Sequence, residues 1–147
     1  MSEPILAPLW LRLAALGYDA LVLVAVWMLI GTLVLAAFGG DVDVAHQPPL
    51  YHFVLQTTLL AATAAYFVVS WARGGQTIGM RAWRLRVIAA DGTSPTLARA
   101  LLRFAVGLVS LLAGGLGLLW CLFERNRRAW HDLAADTRVV RVPKRSR

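Results

Sequence analysis

The chain has 147 residues, 59% of them hydrophobic and only 16% charged, with a formal net charge of +7. A mean hydropathy of +0.62 excludes the composition of an ordinary soluble domain and points to one small membrane domain over residues 1–147. The basic excess is read as charge facing anionic headgroups on the cytoplasmic side, and not as a nucleic-acid footprint.

The first membrane-length segment is expected at about residues 13–38, with no charge between Ala20 and Phe38. No basic stretch precedes it and it is too long for a leader's apolar core, so no secretory signal peptide is expected. Asp19 falls inside it, roughly 8 Å below the point where the hydrocarbon begins. An ionised Asp at that depth needs a partner, a cavity or a proton path. Spacing nominates Arg12, seven residues back on the same helical face and close to the interface.

The connection Gly39–His52 carries Asp41 and Asp43 and no Lys or Arg, whereas the connection after the second segment (residues 53–72) carries Arg73, Arg81, Arg84 and Arg86. Positive-inside bias therefore puts the first connection outside and the second, with the N-terminus, in the cytoplasm. Gln56, Thr57, Thr58, Thr63 and Ser70 lie within the second segment, where they can bond a neighbouring helix or their own backbone.

Leu85–Ala90 alternates like a short strand, and Asp91-Gly92 is a strong hairpin signal, with Ser94–Leu97 as the expected returning strand. A third hydrophobic segment follows at about residues 97–123. Arg99 and Arg103 flank its uncharged stretch Phe104–Phe123 on one side, and Glu124–Arg147 holds eight basic against three acidic residues on the other. Basic flanks on both sides favour a re-entrant or broken segment over a single span, and Gly114-Gly115-Leu116-Gly117 is the natural breaking point. Thr137–Val142 is β-branched and alternating, so a small cytoplasmic hairpin or three-stranded sheet is expected. The tail 138–147, with Arg138, Arg141, Lys144, Arg145 and Arg147, reads as a lipid-facing or solvated anchor. The expected fold is thus an all-α membrane protein of two transmembrane helices plus that third segment.

Catalysis finds no foothold in these residues. His46, His52 and His131 lack metal-ligand spacing, the single Cys121 reads as a buried small hydrophobe, and no cofactor is expected.

Three stretches together resemble the RDD family of small bacterial membrane proteins, named for one arginine and two aspartates. They are Arg12-Leu-Ala-Ala-Leu-Gly-Tyr-Asp19, Gly75-Gln76-Thr77-Ile-Gly79-Met-Arg81 running into Leu85 and Asp91-Gly92, and Arg127-Arg-Ala-Trp-His131-Asp132-Leu-Ala-Ala-Asp136-Thr137. One departure is Asp136, where the family usually has Gly; Asp tolerates a positive φ if the turn requires one. The resemblance implies a cytoplasmic-membrane protein of unassigned biochemical role, with sodium–proton antiport proposed for some members.

Two functions are carried forward. In the first, the chain is a structural or partner membrane module in which Arg12, Asp19, Arg103 and Asp132 form a charge network, with a homo-oligomer or a partner subunit as its company. The alternative is a small cation or proton transporter using Asp19. Both place Arg12, Asp19 and Asp132 in one coupled cytoplasmic-side cluster.

Overall fold

Helix α1, Leu9–Ala37, and helix α2, Pro49–Gly74, are both long and apolar enough to cross a bilayer in the computed structural model, which describes residues 5–40, 43 and 46–143. Each overruns the expected segment. Pro48-Pro49 starts α2 early because a prolyl φ is already helical and the first turn has no use for its missing N–H. Gly75 ends α2 in the left-handed conformation at φ 69°.

A short helix α3, Ile78–Ala82, follows, capped by the Thr77 hydroxyl, which accepts from the Met80 N–H at 3.1 Å. Strand β1, Leu85–Ala89, pairs antiparallel with β2, Thr137–Arg141, in the register Val87 opposite Val139. The expected hairpin partner of β1 is therefore wrong. Asp91 and Gly92 do make a tight turn, in which Asp91 Oδ1 accepts from the Thr93 N–H at 3.0 Å and its hydroxyl at 2.7 Å. The chain then enters helix α4, Leu97–Leu112, because Thr96 caps a helical run by accepting from the Arg99 N–H at 3.4 Å. The neighbour on the other edge of β2 is the N-terminal segment. Leu6 bridges Val140, the Ala7 N–H reaches the Val139 carbonyl at 3.0 Å, and the Arg141 N–H reaches that of Ile5 at 2.8 Å.

The third segment is broken. After Leu112 the chain bends by 107°, with Gly114 and Gly115 at φ 73° and 81°, and continues as α5, Leu116–Leu119, and a 3₁₀ turn, Trp120–Leu122. A Cβ on Gly117 would stand 2.4 Å from Ser110 Oγ, so the returning piece presses against α4 where only glycine fits. Helix α6, Trp130–Ala134, then delivers the chain to β2.

The buried core lies at the sheet end. Ala7, Leu11, Ala15, Val68, Trp71, Met80, Leu85, Val87, Ala100 and Val139 pack together there. The remaining length of α1 and α2 turns apolar side chains outward, including Leu21, Leu29, Leu33 and Leu60. That outward apolarity suits two helices long and apolar enough to cross a bilayer. Asp41, Lys144, Arg145 and Arg147 lie outside the described residues.

Candidate functional site: two buried aspartates with separate partners

Asp132 is completely buried at the third position of α6, and it gathers two arginines. Arg12 of α1 donates from Nη1 to Oδ2 at 2.6 Å, and Arg103 of α4 donates from Nη1 to Oδ1. The Ala129 N–H also donates to Oδ2, at 3.0 Å. Arg12 also donates to two backbone carbonyls, from Nη2 to Arg127 at 2.6 Å and from Nε to Ala7 at 3.3 Å. Arg103 Nη1 also reaches the Thr137 hydroxyl at 2.8 Å, and its guanidinium lies over the Trp71 ring, 4.9 Å from the centroid. One carboxylate thereby ties together α1, α4, α6 and the head of β2. With Arg12 at 7% exposure and Arg103 at 2%, water does little screening.

Asp19 has a different set of partners. Its Oδ1 accepts from the Tyr66 hydroxyl at 2.6 Å and the Gly79 N–H at 2.8 Å, and its Oδ2 from the Thr77 hydroxyl at 2.6 Å. The expected Arg12–Asp19 pair is overturned, since no hydrogen bond or ion pair joins them among the described residues. Helical side chains lean toward the N-terminus of their own helix. Arg12 therefore reaches away from Asp19, toward α6 and the sheet, while Asp19 is met by α2 and α3. The expected single cluster is thus two, about 10 Å apart along α1.

The stretch from Gly75 to Gly79 explains itself residue by residue. The left-handed Gly75 sits where a Cβ would come within 2.4 Å of the Val87 carbonyl, and Gln76 Nε2 holds the Leu85 carbonyl at 2.6 Å. Thr77 caps α3 with its oxygen and gives its proton to Asp19. Gly79 lets α3 touch α1, because a Cβ there would stand 2.1 Å from the Ala15 carbonyl. Asp136 has φ 49°, so the turn before β2 does require the left-handed conformation that Asp accepts.

Of the polar residues on α2, Thr58 and Thr63 donate to their own backbone, and Thr63 also accepts from Trp27 Nε1 at 2.9 Å, joining α1 to α2. Tyr66, Trp71 and the Arg127 carbonyl are the partners that sequence reasoning missed. A tyrosine three residues after Thr63, within an apolar run, is the one signal that could have flagged a buried acceptor nearby. Among the described residues, no group of three or more His, Cys, Asp or Glu lies together as a metal site.

Protonation couples this corner to pH. Burial and the nearby Arg103 push His131 down from 6.5 to about 4. Burial pushes the Asp132 carboxyl up, but Arg103, His131 and Arg12 outweigh it and hold the group well below its ordinary 3.8. Between about 4 and 6.5 the unfolded chain binds the His131 proton and the folded chain does not, so stability falls as pH drops through that window. Below the ordinary carboxylate range, protonation of the unfolded Asp132 adds a loss of the same sign. Melting temperature measured from pH 7.5 to 5 should therefore decline, and His131→Gln should flatten the decline. An unchanged slope in the variant would remove His131 from the account.

Two long apolar helices, a broken third segment and a sheet end locked by arginine–aspartate pairs define a membrane-type helical domain. The chain belongs to the RDD family, whose model matches residues 6–136. Neither the curated proteins nor the solved structures gave a match.

Proposed function

We propose that this protein is a multi-pass, non-catalytic module of the bacterial cytoplasmic membrane, acting as a structural or partner subunit with both termini in the cytoplasm. The observation that carries the reading is the closure of Asp132 by Arg12, Arg103 and the Ala129 N–H, with Arg103 also on Thr137, which ties four elements at one end of the molecule. Asp19 is likewise closed by three donors, one from α2 and two from the start of α3, that hold both against α1. Carboxylates so fully engaged serve as staples, and no observation favours the cation-transport alternative. The pairing of Ile5–Ala7 with β2 supports one side of the membrane for both ends, and the arginines after α2 support the cytoplasmic side.

A fluorescent reporter that matures only in the cytoplasm, fused after Arg147, tests the reading in whole cells. Bright membranes are expected, dimmed several-fold by Asp19→Asn because the module accumulates less. A dark fusion would overturn the sidedness. Undiminished accumulation of Asp19→Asn would overturn the structural role, the more so if reconstituted vesicles lost cation flux.

A further inference from the structure

A cleft of about 450 Å³ runs between α1, α2 and α4, and the charge network fills only its edge. Its wall along α2 passes from Leu59 through Thr63 and Phe67 to Trp71, so it extends about 18 Å at 1.5 Å per residue. One end is apolar, with Trp27, Leu60 and Leu111. Leu60 and Leu111 are 52% and 67% exposed, so the cleft opens sideways toward the surrounding hydrocarbon. The other end is polar and incompletely satisfied. Trp71 is 9% exposed and its Nε1 has no hydrogen-bond partner, Arg103 is 2% exposed and its Nε has none, and His131 Nδ1 is likewise unpaired.

Buried polar atoms without partners are uncommon in folded proteins, and three on one cavity wall ask for a ligand. Trp71 and Arg103 both offer N–H donors, so the missing group is an acceptor. Charge decides its kind. Arg12 and Arg103 share only Asp132 between them, and the second carboxylate on the cleft, Asp19, is held by neutral donors two turns away on α1. The end at Trp71 and Arg103 is therefore locally positive, with the Asp19 charge about 10 Å from Arg12 along α1, and that local excess favours an anion there. The volume lies within the range of small-molecule sites, and the elongated apolar end calls for one flexible chain.

We propose that this cleft binds a long-chain fatty-acid carboxylate that enters sideways from the bilayer, its head on Trp71 and Arg103 and its tail along Phe67 and Leu60. The site goes beyond the structural reading and does not depend on it. Palmitate carrying a mid-chain diazirine is the probe, photolysed with the intact protein in nanodiscs of zwitterionic lipid, with the label mapped by mass spectrometry. Labelling is expected at Leu60, Phe104 and Leu108, with unlabelled palmitate competing roughly tenfold better than palmityl alcohol, which lacks the charge. Leu60→Trp fills the cleft from its open side and should abolish the label. Trp71→Phe keeps a ring under Arg103 and should weaken competition several-fold when labelling is done well below the variant's own melting temperature. Label spread over the outward residues Leu21, Leu29 and Leu33, or equal competition by the alcohol, would overturn the proposal. So would equal displacement by phosphatidylglycerol, which would make the occupant a two-chain lipid headgroup instead.

Discussion

Asp132→Ala is expected to destabilise the protein by about 3–5 kcal/mol, the usual cost of removing one partner from a buried ion pair. Two guanidiniums, Arg12 and Arg103, would remain in a site that excludes water, and the Ala129 N–H would lose its acceptor. Chemical unfolding of the purified protein in detergent would show the loss as a lower midpoint with little change in slope. Replacing all three charges by apolar residues (Arg12→Met, Arg103→Met and Asp132→Leu together) should recover much of it, because no charge is then left unpaired. A loss under about 1 kcal/mol for Asp132→Ala, the range of a solvent-exposed pair, would show the network to be loosely held. Arg12→Gln should be strongly non-additive with Asp132→Asn and close to additive with Asp19→Asn, since only the first pair is in contact.

Gly79→Val should be the most damaging small substitution in the chain. Its Cβ would meet the Ala15 carbonyl at 2.1 Å and the Asp19 carboxyl carbon at 2.9 Å, both on the helix that α3 packs against. The Ala15 carbonyl is backbone and cannot swing aside, so α3 must lift away from α1. Overpacking typically costs about 1–3 kcal/mol. Here it would also pull the Gly79 N–H and the Thr77 hydroxyl off Asp19, leaving the carboxylate with Tyr66 alone. Gly17→Ala is the control: nothing lies within 4 Å of its added Cβ, and alanine in a helix should be neutral or stabilising by up to about 1 kcal/mol. Equal melting temperatures for the Gly79 and Gly17 variants would refute the close α1–α3 contact.

How legible this was in the sequence differs sharply between elements and contacts. The apolar runs announce α1 and α2 because a bilayer demands length and apolarity, both of which are written locally. The break at Gly114 and Gly115 is equally local. The partner of β1 is not: Asp91-Gly92 turns the chain as expected, but Thr96 makes a better helix cap than a strand start, and β1 finds its mate in β2. The same holds for the charges. Arg12, Asp19, Arg103 and Asp132 stand out because each is expensive where it sits, and all four are buried. Which carboxylate takes which arginine depends on how α6 docks and on the lean of the Arg12 side chain, and a seven-residue spacing carries neither. The Gly75–Gly79 motif shows the middle case, conspicuous in sequence yet explained only once α3 lies on α1 and Gln76 on β1.

The bond between Arg12 and Asp132, together with the pairing of Ala7 and Val139, has a consequence for how the protein is made. At a synthesis rate of about 5–20 residues per second, the 120 positions from Arg12 to Asp132 take roughly 6–24 s to emerge. Throughout that interval α1 has its arginine and not its counter-ion, and the Ile5–Ala7 edge has nothing to pair with. In a bilayer an arginine near a helix end, as Arg12 is in α1, can wait by stretching its long stem toward the headgroups, a posture closed to one at the centre. Helix α1, made well before its partners, is thus among the last to acquire its native contacts, and a ribosome that stalls ahead of α6 strands it half-finished.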